Sequence, residues 1–141
     1  MAELDPRLLK LPGLDRTLGV EYLEAGPERV RASLTVDERH LQPFGYLHGG
    51  VNVAPAESVA SVGASIAAPE GHVAFGLEIN MNHLRPVRPG SRIVATAEPL
   101  HQGRSTQVWH IEIRDGEERR VAVGRCTLAL RPARLDNVAG N

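Results

Sequence analysis

The sequence predicts an α+β fold in which one long helix lies across an antiparallel sheet of about six strands. Three observations carry this expectation. A single stretch, Leu41 to Ala68 (LQPFGYLHGGVNVAPAESVASVGASIAA), is long, rich in Ala and Ser, and helical in its apolar spacing. Two segments before it and four after it read as strands, apolar residues alternating with polar ones. Turn-forming residues stand between them, at Gly26-Pro27, Pro69-Glu70-Gly71, Pro89-Gly90 and Asp115-Gly116.

In chain order, Asp5-Pro6 can cap and start a short helix through Leu11 within residues 1–16, and Pro12-Gly13 ends it. Thr17 to Ala25 and Arg29 to Val36 alternate around Gly26-Pro27 and form a hairpin. Asp37 to His40 is a polar turn leading into the central stretch. After the helix, Val73 to Leu84 places Val73, Phe75, Leu77, Ile79 and Met81 on one face. The segment from Pro86 to Gly90 breaks that strand. Arg92 to Leu100 and Ser105 to Arg114 follow, the latter with Trp109, Ile111 and Ile113 on one face. Val121 to Leu130 is the last strand, and a frayed tail is expected over residues 132–141, with Arg131-Pro132 at its start. Four long strands in succession imply antiparallel pairing. A sheet with one helix leaves its other face to be covered, so association into a dimer or tetramer is expected.

The chain of 141 residues reads as one domain, 1–141, long enough for a core without staples. Its 42% hydrophobic and 23% charged residues are ordinary globular usage. Net charge is −1 with no basic block, which argues against a nucleic-acid or anionic-membrane surface. The N-terminus has acidic residues and no apolar signal region, and no stretch approaches the roughly 18–20 apolar residues of a span, so a cytoplasmic protein is expected. The histidines are scattered without metal-ligand spacing, and neither a GxSxG elbow nor a P-loop occurs. The one cysteine, Cys126, lies in a strand-like run and reads as a small buried hydrophobe.

One carboxylate, Glu57, stands inside the helical stretch among Ala54, Ala56, Val59, Ala60 and Val62, with no Lys or Arg within a turn. Ser61, four residues on, shares its face. Ahead of the helix, Gly49 and Gly50 carry no side chains to keep a ligand from the unpaired N–H groups of a helix start. Gln42 and His48 lie in a loop anchored by Pro43 and Gly45. Pro55 is out of place two residues before the acid: either the helix starts near Asn52 or it is kinked where Glu57 projects.

The arrangement resembles the hotdog fold, a long helix wrapped by a curved antiparallel sheet. The stretches QPFGYLHGGVNVAPAES, LEINMNHLRPVRPG and GRSTQVWHIEIRDGE resemble the bacterial hotdog acyl-CoA thioesterases of the phenylacetate-pathway and 4-hydroxybenzoyl-CoA (Arthrobacter-type) group. Within that group the likeness is greatest to the 1,4-dihydroxy-2-naphthoyl-CoA hydrolase type, and it runs from about Thr17 to Leu130. The resemblance implies thioester hydrolysis of acyl-CoA, aromatic acyl groups favoured, without a cofactor beyond the coenzyme A of the substrate. It puts the attacking or water-activating carboxylate on Glu57 and the N–H that polarises the carbonyl on Gly49. Gln42, His48 and Ser61 take positioning roles, and Gly50 keeps the approach clear. His83, in NHLRP, is a further candidate near the ligand, and Arg85, Arg88 and Arg104 are candidates for the coenzyme A phosphates, which suit bidentate Arg. It also implies a homo-oligomer, a dimer of dimers, with active sites at subunit interfaces. Two other readings stay open: a dehydratase or hydratase of acyl thioesters using His48 with Glu57, and a non-catalytic acyl-CoA binding module.

Overall fold

The computed structural model describes residues 12–133. Its elements are α1 (Leu14–Leu18), β1 (Glu21–Ala25), β2 (Val30–Thr35), α2 (Gly49–Ala67), β3 (His72–His83), β4 (Arg92–Gln102), β5 (Thr106–Asp115) and β6 (Arg120–Pro132). All six strands join in one antiparallel sheet in the order β1-β2-β4-β5-β6-β3. The architecture is the hotdog α+β fold expected from the sequence.

The core lies between α2 and one face of the sheet. Ala56, Val59, Ala60 and Ala64 of the helix meet Ile93, Ala95 and Ala97 of β4 and Trp109, Ile111 and Ile113 of β5, all buried. Small helix residues let the sheet come close. At Gly63 a Cβ would overlap the Trp109 indole, so this glycine makes room for the ring. The indole N–H donates to Gln107 Oε1 at 2.8 Å, and Gln107 Nε2 donates to the Ala64 carbonyl at 3.4 Å. Two buried polar side chains are thereby satisfied, which a core of this density requires.

Several local expectations are corrected. The short helix expected over Asp5 to Leu11 lies outside the described residues, as does the tail from residue 134 on. Thr17 and Leu18 are not strand: they close α1, which ends at Gly19 in the left-handed region at φ 80°, with its N–H on the Arg16 carbonyl. The alternation of Leu18, Val20 and Tyr22 therefore straddles a helix end, and only the part from Glu21 is extended. Arg131 and Pro132 do not fray; they extend β6 opposite Val73 and His72. β3 pairs with β6 across the sheet instead of with its sequence neighbour β4.

The expected apolar face of β3 is also split. Gly76 lies opposite Leu128 and Glu78 opposite Thr127, so Leu77 is an extra residue, a bulge. A one-residue slip flips every later side chain. Ile79 and Met81 therefore face the helix together with Ala74 and Gly76, while Val73 and Phe75 share the opposite face, and Phe75 is 59% exposed.

Of the two readings of Pro55, a start near Asn52 is ruled out. α2 begins at Gly49 with His48 as its N-cap, so Pro55 is inside the helix, and the Val51 carbonyl loses the N–H that would otherwise reach it.

Candidate active site

The start of α2 is built by its preceding loop. His48 Nδ1 accepts the Gly50 N–H at 2.9 Å, the work of an N-cap side chain. The His48 N–H in turn donates to the His40 carbonyl at 2.8 Å. His40 is fully buried: its Nδ1 accepts the Asp37 N–H at 2.9 Å and its Nε2–H donates to the Leu18 carbonyl at 2.8 Å. This histidine, given no role from sequence, ties the loop ahead of α2 to the end of α1. Gln42 is tied inward as well, its Oε1 accepting the Phe44 N–H and its own N–H donating to the Tyr46 carbonyl at 2.8 Å.

With Gly50 capped, the Gly49 N–H has no acceptor among the described residues. It stands at the positive end of a 19-residue helix. His83, at the end of β3, packs against Gly49: a Cβ on Gly49 would be 3.0 Å from His83 Nε2. Asn52 Nδ2 donates to His83 Nδ1 at 3.2 Å. His48, Gly49, Gly50 and His83 thus gather around one helix end, with Gln42 held in the loop ahead of it. Asn52, which the sequence offered only as a helix boundary, belongs with them.

Glu57 lies farther along α2 and belongs to a second cluster. Its half-buried carboxylate sits against β3 at Gly76, where a Cβ would overlap Oε1 and lie 3.2 Å from Cδ. Among the described residues it has no cation and no hydrogen-bond partner. It lines a cleft of about 650 Å³ between α2 and the α1–β1 segment, shared with Leu14, Val20, Tyr22, Ala54 and Ser61. Asp15 of α1 is fastened to that cleft by two donors, Tyr22 Oη at 2.9 Å and Ser58 Oγ at 2.7 Å. Burial and the neighbouring Asp15 charge push the Tyr22 phenol well above its usual range, so it stays a donor. Ser61 shares the cleft without hydrogen-bonding Glu57. Cys126 is fully buried, and burial, with the charges of Glu57 and Glu78, pushes its thiol up to about 12, which leaves it the inert hydrophobe expected.

The arginines divide. Arg85 and Arg88 line a hollow of about 250 Å³ with Ser91, Asp115 and Arg119, at the sheet end nearest the start of α2. Asp115 is held below the usual carboxylate range although burial opposes it, because the Arg119 and Glu117 N–H groups and the Arg119 guanidinium favour its charge. Arg104 lies beyond the other end of β4, about 33 Å away along the strand. One chain does not bring it to the other two.

Residues 44–122 match the profile of the thioesterase superfamily. The chain belongs to that family. It is 45% identical over 122 residues to 1,4-dihydroxy-2-naphthoyl-CoA hydrolase of Listeria monocytogenes, covering 86% of this chain and 98% of that one. A thioesterase from Haemophilus influenzae, known by crystal structure, superposes with a TM-score of 0.79 at 45% identity, over 84% of this chain and 82% of that one. The PaaI protein of Escherichia coli, at 22% identity and a TM-score of 0.82 over 91% of each chain, shares the fold. This thioesterase is therefore a thioester hydrolase. Among its described residues no helix is long and apolar enough to cross a membrane, and no three His, Cys, Asp or Glu side chains group as metal ligands would.

Proposed function

We propose that this enzyme hydrolyses acyl-CoA thioesters, aromatic acyl groups among them, to the free acid and coenzyme A, with no cofactor other than the coenzyme A of its substrate. One observation carries the reading: a carboxylate without a partner among the described residues projects from the apolar body of α2 into a cleft sized for a small acyl group. The identity to an enzyme named for an aromatic CoA ester supports the choice of acyl group. Glu57 either attacks the carbonyl carbon or takes a proton from a water that does. In the first route its oxygen bonds the carbon, the C–S bond breaks, coenzyme A leaves as thiolate, and water then opens the anhydride. In the second, water adds directly. Both end in carboxylic acid and thiol, and both build negative charge on the carbonyl oxygen, which the Gly49 N–H and the helix dipole stabilise. His48 and Gln42 hold the loop that presents this N–H, and Ser61 offers a hydroxyl to the incoming water.

Two copies of the chain complete each site. Gly49 and Glu57 are eight residues apart on α2, about 12 Å along the helix axis. A thioester in contact with the Gly49 N–H is beyond reach of the same chain's carboxylate. Among the described residues β3 is an edge strand, its outer backbone edge unpaired, with Phe75 and Leu77 exposed beside Gly76. Pairing two such edges antiparallel sets Glu57 of one copy toward the helix start of the other. Two of these dimers, joined through a second contact, form the homotetramer. Arg85 and Arg88, with Arg104 supplied by a neighbouring copy, take the phosphates of coenzyme A. A cytoplasmic home agrees with the free thiol of Cys126.

The test is free-thiol release from a panel of aromatic and aliphatic acyl-CoAs, wild type beside Glu57→Ala. Release from wild type, fastest with aromatic esters and lost in the folded variant, is expected. Unchanged turnover in Glu57→Ala would remove the carboxylate from the mechanism.

A further inference from the structure

Asn52 is a buried polar residue of α2 that the chemistry above leaves without a task. It lies early in the helix, 4% exposed, and its Oδ1 has no hydrogen-bond partner among the described residues. Its one side-chain hydrogen bond there is the 3.2 Å contact to His83 Nδ1. Burying a primary amide carries a desolvation cost that a single hydrogen bond offsets only in part, and an apolar residue would fill the place without it. The amide is there for its effect on His83.

That effect follows from hydrogen-bond polarity. An amide nitrogen only donates, so the ring nitrogen facing it carries the lone pair, and the imidazole proton sits on Nε2. Nε2 is the atom that packs against Gly49. His83 is paired across the sheet with Ala122, and among the described residues no charged side chain hydrogen-bonds its ring. Nothing else there competes to set the tautomer.

We propose that Asn52 is a positioning residue that holds His83 as its Nε2–H tautomer, so that this N–H stands beside the Gly49 N–H as a second donor to the thioester oxygen. The inference rests on the reading of Gly49 as the carbonyl contact. Charge grows on that oxygen in the transition state, so a fixed second donor acts mainly on kcat. A neutral imidazole keeps this N–H as the pH rises, which a histidine relying on its charged form would not.

Two measurements test it. The nitrogen-labelled imidazole spectrum of the wild-type protein, taken above the imidazole range, reports the tautomer without any turnover. His83 is identified by the signal lost in His83→Gln. A protonated Nε2 and bare Nδ1 are expected, and a protonated Nδ1 overturns the proposal. The second measurement is the pH profile of Asn52→Asp. A carboxylate only accepts, so it draws a proton to Nδ1. Once the ring is neutral, Nε2 is bare. kcat of the variant then falls about 100-fold from low to high pH, with KM moving less than about threefold, a fall that wild type lacks. In the His83→Gln background the same substitution adds no such fall. A loss independent of pH, or a fall that persists without His83, means that Asn52 is only structural. Absence of thiol release from wild type, with the Nε2–H tautomer present, would instead count against the thioesterase chemistry proposed above.

Discussion

Oε1 of Glu57 occupies the space in which a side chain at Gly76 would begin. Gly76 is not one of the positive-φ glycines, so its backbone has no need of glycine. What the position requires is room, and the carboxylate fills it. The bulge at Leu77 immediately follows, where the strand changes face. Gly76→Ala is therefore expected to leave the fold intact and push the carboxylate aside. A shift of about 1 Å costs on the order of 100-fold in turnover. Thiol-release kinetics should show this in kcat with KM nearly unchanged, and a thermal melt should show a folded protein. Wild-type kcat in Gly76→Ala would mean that Glu57 does not act from this pose.

The proposed sharing of each site between two chains makes a mixing experiment decisive. Glu57→Ala removes the carboxylate, and Gly49→Val sets a side chain against His83 and the carbonyl contact. Each variant alone should be inactive. Mixed as refolded or co-expressed chains, they form heterodimers in which one of two sites has both an intact Gly49 and an intact Glu57. Recovery of about a quarter of wild-type activity is expected from random pairing of two-fold dimers. No recovery from a verified heterodimer would confine each site to one chain.

The proposed coenzyme A contacts can be tested apart from the chemistry. Arg88→Ala should raise KM for an acyl-CoA about tenfold, the scale of one lost charged hydrogen bond, while the matching pantetheine ester is unaffected. Arg104→Ala should do the same only in the assembled oligomer, given its distance from Arg88 in one chain. Equal effects on both esters would show that these arginines support the loop and not the nucleotide.

Alkaline stability follows from Cys126 and Tyr22, whose protons the folded chain holds to higher pH than the unfolded one. With a raised folded pKa, the stabilising contribution is complete below the unfolded value, about 8.5 for a thiol. It is lost as the pH climbs from there toward about 12 for Cys126. Urea midpoints at pH 8 and pH 10 should therefore diverge, and Cys126→Ala should narrow the gap. A gap that Cys126→Ala leaves untouched would assign the effect to Tyr22 alone.

Much of this was legible in the residues. Alternation marked the strands because a half-buried sheet imposes a period of two, and the helix stood out as the one Ala-rich stretch with a carboxylate in it. What escaped notice depended on partners distant in sequence. The glycine at 19 turns a strand-like alternation into a helix end because its φ is positive, and no pattern of polarity reveals that. The bulge at Leu77 is a property of two strands, not one, although Gly76 inside a strand-like run was the available signal. Asn52 looked like an ordinary early-helix residue until His83 was brought above it, and His40 like a polar-turn residue until its ring was found between Asp37 and Leu18.

β3 leans on β6, the last strand of the sheet to be synthesised, and His72 finds its partner sixty residues later at Pro132. Gly76 and His83 are carried by β3, so neither can settle against α2 until nearly all of the sheet has left the ribosome. β3 thus gains its partner only after β6 has been made. Premature release at the β5–β6 turn would leave a helix and four neighbouring strands with the place of β3 undefined. Long-range pairings of this kind slow folding, and here the delay falls on residues of the candidate site.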